Sequence, residues 1–117
     1  MGTRVEILGR LELGLKCYNH GVRVDDDTRT WGTPKDSWME MAKEELLDAI
    51  IYTIADYIRN VRSEGERAPL SFRKNDELDD NKLIMSIVGD WDCIESPQHK
   101  MMLWNLFKML DCDIFRD

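Results

Sequence analysis

Three acidic residues that lie close together in the sequence, Glu44, Glu45 and Asp48, have the types and spacing to hold a metal ion. Spacings of three and four residues place their carboxylates at neighbouring positions on one face of an α-helix. Crowded, partly buried carboxylates repel one another and lose hydration, so they either bind protons or hold a cation. Because every ligand atom is an oxygen, this group favours Mg2+, with Mn2+ as the other candidate.

A solvated helix face is the competing interpretation of the same residues. Glu44 and Glu45 follow Lys43 near the start of a helix, where acidic side chains also interact favourably with the helix dipole. Glutamate side chains are mostly exposed in folded proteins, which slightly favours this second interpretation. Spacing alone therefore leaves both the metal site and the solvated face open.

The helix that carries these acids is apolar on almost every side between Lys43 and Arg59. Its apolar residues, which surround the helix axis, are Leu46, Leu47, Ala49, Ile50, Ile51, Ile54, Ala55 and Ile58. A helix of this kind is normally buried in a larger core. We expect its apolar surface to exceed what short neighbouring helices can cover, which predicts a homodimer or a higher homo-oligomer.

Apolar spacing and capping residues predict an all-α, four-helix bundle-like fold with one long central helix. The predicted helices span about 4–18, 34–62, 80–93 and 97–111, and a polar loop spans 63–79. The long helix starts either at Thr33 and Pro34 or at a capping box formed by Ser37 and Glu40.

A β-strand is the alternative interpretation of the segment predicted as the first helix. Leu8, Leu11, Leu15 and Tyr18 recur at helical intervals, but Leu11, Leu13 and Leu15 also alternate as they do in a strand. Helix is the preferred interpretation.

Composition limits the class of protein. A length of 117 residues with 43% hydrophobic content suits a single domain with a true core. No apolar run approaches the length of a membrane span, and the N-terminus lacks the pattern of a secretion signal. Three scattered cysteines, Cys17, Cys93 and Cys112, do not form a disulfide framework. These features predict a cytoplasmic protein without a membrane partner, in the host cytoplasm if the chain is phage-encoded.

The net charge of −7 and the pI of about 4.8 argue against a long nucleic acid as the partner. Binding such a polyanion requires clustered cations that displace its counterions. A nucleotide remains compatible with this charge, because a metal ion and a few local Arg or Lys side chains neutralise its phosphates.

Residues 19–52 resemble the short phage and prophage relatives of the MazG-like nucleotide pyrophosphohydrolases, and the resemblance extends over about 11–59. Its centre is Glu45-Leu46-Leu47-Asp48, followed four residues later by Tyr52. That superfamily is all-α, includes the dimeric dUTPases, and binds magnesium through an E-x-x-E pair on one helix and an E-x-x-D pair on a later helix. Glu45 and Asp48 match the second pair.

The first acidic pair of that family is incomplete in this chain. Glu12 is the one candidate on the first helix, with Gly9 three residues before it and Leu15 three residues after it. The resemblance therefore implies a metal site formed by Glu12, Glu45 and Asp48 rather than a full two-metal site.

The resemblance implies hydrolysis of a nucleoside triphosphate to the monophosphate and pyrophosphate. In this mechanism Glu44 or Glu45 activates the attacking water, and the cations that hold the phosphates are Lys16, Arg23 and Arg59. Ordinary surface charge is the competing explanation of each cation. The alternative function, which the incomplete acidic pair favours, is a non-catalytic helical protein that sequesters a nucleotide or a host protein.

Overall fold

The protein was analysed as a computed structural model, which describes residues 2–74 and 76–112. It contains four α-helices: α1 (Thr3–Tyr18), α2 (Trp38–Arg62), α3 (Asn81–Gly89) and α4 (Pro97–Asp111). Short 3-10 helices lie at Thr28–Trp31, Gly65–Arg67, Leu70–Phe72 and Trp91–Cys93. The described residues form no β-strand, so the predicted all-α class with one long helix is confirmed.

Contacts within the chain define two compact units, and the boundary between them falls between Asp36 and Ser37. The first unit holds α1 and the loop that follows it. The second holds α2, α3 and α4 with their connections. The single domain expected from the chain length stays a prediction.

The observed start of α2 agrees with one of its two predicted starts and not with the other. The helix begins at Trp38, not at Pro34, and the Oγ of Ser37 caps it by accepting the Glu40 N–H at 3.1 Å. Thr33 is unavailable as a cap because its side chain is buried and contacts the carbonyl of Lys35. The Ser37 start is therefore correct, and the predicted end at Arg62 is confirmed.

The third helix is shorter than the predicted span of 80–93. It ends at Gly89, and Trp91–Cys93 form a separate 3-10 turn. The break follows from the residues at this point, since Gly89 is a poor helix former and Asp90 leaves the helical conformation with a φ of −139°.

The connection between α2 and α3 contains more structure than a plain loop. Two 3-10 helices, Gly65–Arg67 and Leu70–Phe72, lie within it. The guanidinium of Arg62 donates to the carbonyl of Phe72 at 2.5 Å and to the carboxylate of Asp80 at 2.8 Å. The hydrogen bond with Asp80 raises the pKa of Arg62 and lowers that of Asp80. One side chain at the end of α2 thus contacts both the middle of this connection and its last residue.

The core of the second unit is built on one stripe of α2. Ile50, Ile54 and Ile58 recur every four residues, which places them on one side of the helix, and all three are buried. They pack with Leu103 and Leu106 of α4. Ile54 and Leu103 are both 0% exposed, so this contact forms the centre of the core.

Several apolar side chains of α2 remain exposed in the described part of the chain. Leu47 and Ile51 are 44% and 43% exposed, and Tyr52 is 67% exposed. The buried part of α2 is thus one stripe, and its apolar surface extends beyond that stripe, as the sequence predicts.

Helix α1 contains no buried residue. Its apolar side chains, including Leu8, Leu11 and Leu15, remain about half exposed, at 55%, 48% and 52%. The apolar pattern is helical as predicted, and these side chains keep about half of their surface in contact with water.

We predict that Ile54→Ala lowers the free energy of unfolding by about 2–5 kcal/mol, because it leaves a cavity at the fully buried centre of the core. Ile51→Ala removes the same atoms from a half-exposed position on the same helix, and we expect it to cost less than about 1 kcal/mol in dilute protein. Chemical denaturation of both variants measures the difference. Equal losses would show that the α2–α4 contact is not the centre of the core.

Candidate functional site

The acidic residues of α2 lie in its first half, away from the buried stripe. Glu44 and Glu45 are exposed, and Asp48 is half-buried. Tyr52 follows on the next turn of the helix. Within the described residues, none of these three carboxylates takes part in a hydrogen bond or an ion pair. Their charges are therefore available to a cation, although the exposure of the two glutamates also agrees with a solvated face.

The predicted metal ligands come from both units of the chain. Glu12 lies on α1 in the first unit, whereas Glu45 and Asp48 lie on α2 in the second. All three are carboxylates, a donor set that suits a hard divalent cation such as magnesium. The assembly of the three into one site stays a prediction.

A different group of potential metal ligands lies close together in the structure. Among the described residues, Asp90, Asp92 and Cys93 form the one set of three whose ligand atoms lie within 4.8 Å of one another. None of the predicted ligands belongs to it. All three residues are exposed, and the Cys93 thiol donates to Asp90 at 3.3 Å. This hydrogen bond raises the pKa of Cys93 and keeps the thiol protonated, which makes it a poor ligand. The group lies where the turn after Gly89 folds the chain back, a break that helical periodicity did not predict.

The predicted phosphate-binding cations have different surroundings. Lys16 lies four residues after Glu12, so both lie on the same exposed side of α1. Arg59 is exposed near the end of α2. Arg23 is paired with Asp26 at 3.0 Å, so part of its charge is neutralised locally. Lys16 and Arg59 are accordingly the cations that are better placed to meet a phosphate.

The loop after α1 is organised around a buried threonine. Thr28 is 0% exposed, and its hydroxyl lies 2.8 Å from that of Thr33 and 3.0 Å from the carbonyl of Lys35. Its N–H donates to the carboxylate of Asp36 at 3.0 Å. This loop belongs to the stretch that carries the MazG-like resemblance. Its polar residues therefore have a structural role, whatever else they do.

Asp27 caps the short 3-10 helix in this loop. Its carboxylate accepts the backbone N–H of Arg29 at 2.9 Å and forms an ion pair with the Arg29 guanidinium at 2.6 Å. These hydrogen bonds lower the pKa of Asp27 from 3.8 to about 2. Asp27 thus stabilises the start of the 3-10 helix through both its cap and its ion pair.

A polar connection between α2 and α4 was not predicted from the sequence. The Nε2 of His99 lies 2.7 Å from the carboxylate of Asp56, and its Nδ1 lies 2.5 Å from the Oγ of Ser96. His99 is 8% exposed, and the ring of Tyr57 lies 5.6 Å from the imidazole. Asp56 and His99 are 43 residues apart in the sequence, so their contact follows only from the tertiary structure.

A cavity of about 720 Å³ adjoins this connection within the second unit. It is lined by the second half of α2, the α2–α3 connection, α3 and the start of α4. Ser96 and His99 both contribute to its wall. The cavity contains none of the predicted metal ligands.

Comparison of the chain with models of protein families, with curated proteins and with solved structures finds no match. The MazG-like resemblance therefore rests on the quoted residues of the chain alone. In the described part of the chain, none of the helices combines the length and apolar character that crossing a membrane requires.

We predict that Asp27 titrates near pH 2 and that Arg29→Gln moves this titration up towards pH 3.8, because the variant removes the guanidinium partner. Since the folded-state pKa is the lower one, the contribution of Asp27 to stability is present above about pH 4 and is lost as the pH falls towards 2. Carboxyl chemical shifts measured by NMR follow both titrations. An unchanged midpoint in the variant would contradict the assigned pair.

Proposed function

We propose that the chain is a metal-dependent nucleotide pyrophosphohydrolase that works as a homo-oligomer. It converts a nucleoside triphosphate to the monophosphate and pyrophosphate. The observation that supports this proposal best is the group of Glu44, Glu45 and Asp48, which share one region of α2 and have no partner among the described residues. In a chain of net charge −7, a cation bound by these carboxylates would be attracted by their combined negative charge.

The proposed site residues have separate roles in binding the metal, activating the water and holding the phosphates. Glu45 and Asp48, with Glu12, hold the metal, and Glu44 accepts the proton of the water that attacks the α-phosphorus. The bond from that phosphorus to its bridging oxygen breaks, and pyrophosphate leaves. Bound magnesium supplies neutralisation of the negative charge on the phosphates. Lys16 and Arg59 add positive charge for the triphosphate, and Arg23 is the further candidate.

Exposed apolar surface supports the homo-oligomer. Leu47, Ile51 and Tyr52 lie within about one helical turn of the carboxylates along α2 and are about half exposed or more. A second copy that covered them would also remove water from the neighbouring acids. Desolvation strengthens the attraction between carboxylates and a cation, so assembly would favour metal binding.

A non-catalytic binding protein is the second candidate function. It is favoured by α1, whose apolar side chains are uncovered and whose Glu12 has no second acid three residues away. Such a protein would bind a nucleotide or a host protein without turnover.

We predict that the purified protein releases pyrophosphate from at least one of a panel of nucleoside triphosphates with Mg2+ and not with EDTA. Asp48→Asn is expected to lower this rate by about a hundredfold or more, because it removes a ligand charge from the metal. Glu66→Gln, which changes an exposed acid in the connection after α2, is expected to keep the rate. Circular dichroism verifies that both variants are folded.

The same samples distinguish the second candidate. A nucleotide that raises the melting temperature without product formation would support a sequestering protein. Absence of both turnover and stabilisation, with and without Mg2+, would contradict any nucleotide function.

A further inference from the structure

Ser96, His99 and Asp56 form a continuous hydrogen-bonded chain across two helices. Ser96 precedes α4, His99 lies in its first turn, and Asp56 lies on α2. The imidazole is within 2.5 Å of the serine Oγ on one side and 2.7 Å of the carboxylate on the other. The imidazole is buried against Tyr57, which fixes its orientation.

The partners determine where the protons lie. Asp56 is an acceptor when ionised, so His99 places its proton on Nε2 and donates it to this carboxylate. Nδ1 is then the basic nitrogen, and it accepts the hydroxyl proton of Ser96. The serine oxygen also accepts the backbone N–H of His99 at 3.4 Å. A serine whose proton points at an imidazole that is itself held by a carboxylate has the arrangement of an activated nucleophile.

The cavity beside this chain can accept a small molecule. Its volume of about 720 Å³ lies within the usual range of ligand pockets, roughly 300–1,000 Å³. Tyr57, Phe72 and Ile94 provide apolar wall, and Ser96 and His99 line the cavity on its polar side. Charged side chains also line it, namely Glu64, Arg67, Asp90 and Glu95. A site of this composition suits a small ester that has both apolar and polar groups and one polarised carbonyl.

We propose that Ser96 is a catalytic nucleophile of a second site, separate from the acids at the start of α2, and that this site hydrolyses small esters. His99 is its general base, and Asp56 is a positioning residue that holds the imidazole and stabilises its protonated form. This inference does not depend on the nucleotide function.

The reaction proceeds in two balanced steps. The Ser96 Oγ attacks the ester carbonyl carbon while its proton moves to the Nδ1 of His99. The bond from that carbon to the alcohol oxygen breaks, and the alcohol leaves with the proton from His99. Water then attacks the acyl-serine and passes a proton through His99 to the Oγ, which releases the carboxylic acid and restores Ser96.

The start of α4 also supplies a stabilising field for this reaction. Pro97 has no N–H, so Gln98 carries the first backbone donor of this 15-residue helix. Positive partial charge at the helix N-terminus favours the oxyanion that forms during attack.

Helix capping alone is the competing explanation of Ser96, and the chain provides a matched control for it. Ser37 caps α2 through the N–H of the third residue along, as Ser96 caps α4. The third residue after Ser37 is Glu40, whereas the third after Ser96 is His99. Both serines cap helices, but one of them contacts an imidazole.

The test uses the full chain and a fluorophosphonate probe. The serine oxygen forms a bond to phosphorus as the bond from phosphorus to fluorine breaks, and the hydroxyl proton leaves through His99. We predict that peptide mapping finds the adduct on Ser96 and not on Ser37, and that Ser37→Ala keeps this labelling. Absence of an adduct on Ser96 in the folded wild-type protein, or equal labelling of the two serines, would overturn the proposal.

Variants of Asp56 separate positioning from a structural role. Asp56→Asn is expected to slow the labelling of Ser96 by about tenfold or more, because it removes the negative charge beside the imidazole. Asp56→Glu, which restores the charge, is expected to recover part of the rate. The melting temperature of the wild-type protein and of each variant is measured in the same experiment. Labelling that follows the melting temperature rather than the charge at this position would assign Asp56 to stability alone and would overturn its role.

Discussion

The packing of α2 against α4 is the interaction on which the second unit depends. Ile54 and Leu103 meet at its centre, both without exposed surface. The same helix pair places His99 against Asp56, because the imidazole lies on the face of α4 that turns towards α2. Burial of apolar area supplies most of the favourable free energy of such a contact, whereas a polar connection at its edge fixes the relative position of the helices. A shift of either helix would therefore disturb the hydrogen-bonded chain before it exposed the core.

Local signals were sufficient for the helices and for most of their ends. The cap at Ser37, the Ser96–Pro97 start of α4 and the end of α2 at Arg62 all depend on residues within one turn of the boundary. The Thr33–Pro34 start has equally good local chemistry, but Thr33 is used in the buried cluster around Thr28. Capping preference could not reveal that competing use, since it arises from contacts across the loop.

For the candidate sites too, sequence spacing predicted positions within one helix but not contacts between residues that are far apart in the sequence. The helical positions of Glu44, Glu45 and Asp48 follow from sequence spacing, and the structure places them on one helix as expected. Their relation to Glu12 depends on how separate parts of the chain assemble, which no local spacing determines. The contact between His99 and Asp56, 43 residues apart, was invisible for that reason. Gly89 and Asp90 likewise break a helix whose apolar periodicity continues past them.

Asp36 and Ser37 are adjacent in the sequence, yet one side chain accepts a hydrogen bond from an earlier residue and the other from a later residue. Asp36 accepts the N–H of Thr28, eight residues before it, and Ser37 accepts the N–H of Glu40, three residues after it. The boundary between the two compact units falls at the peptide bond that joins them. Each of these two hydrogen bonds has its donor and its acceptor on the same side of that bond, so residues inserted there would not lengthen the chain between either pair.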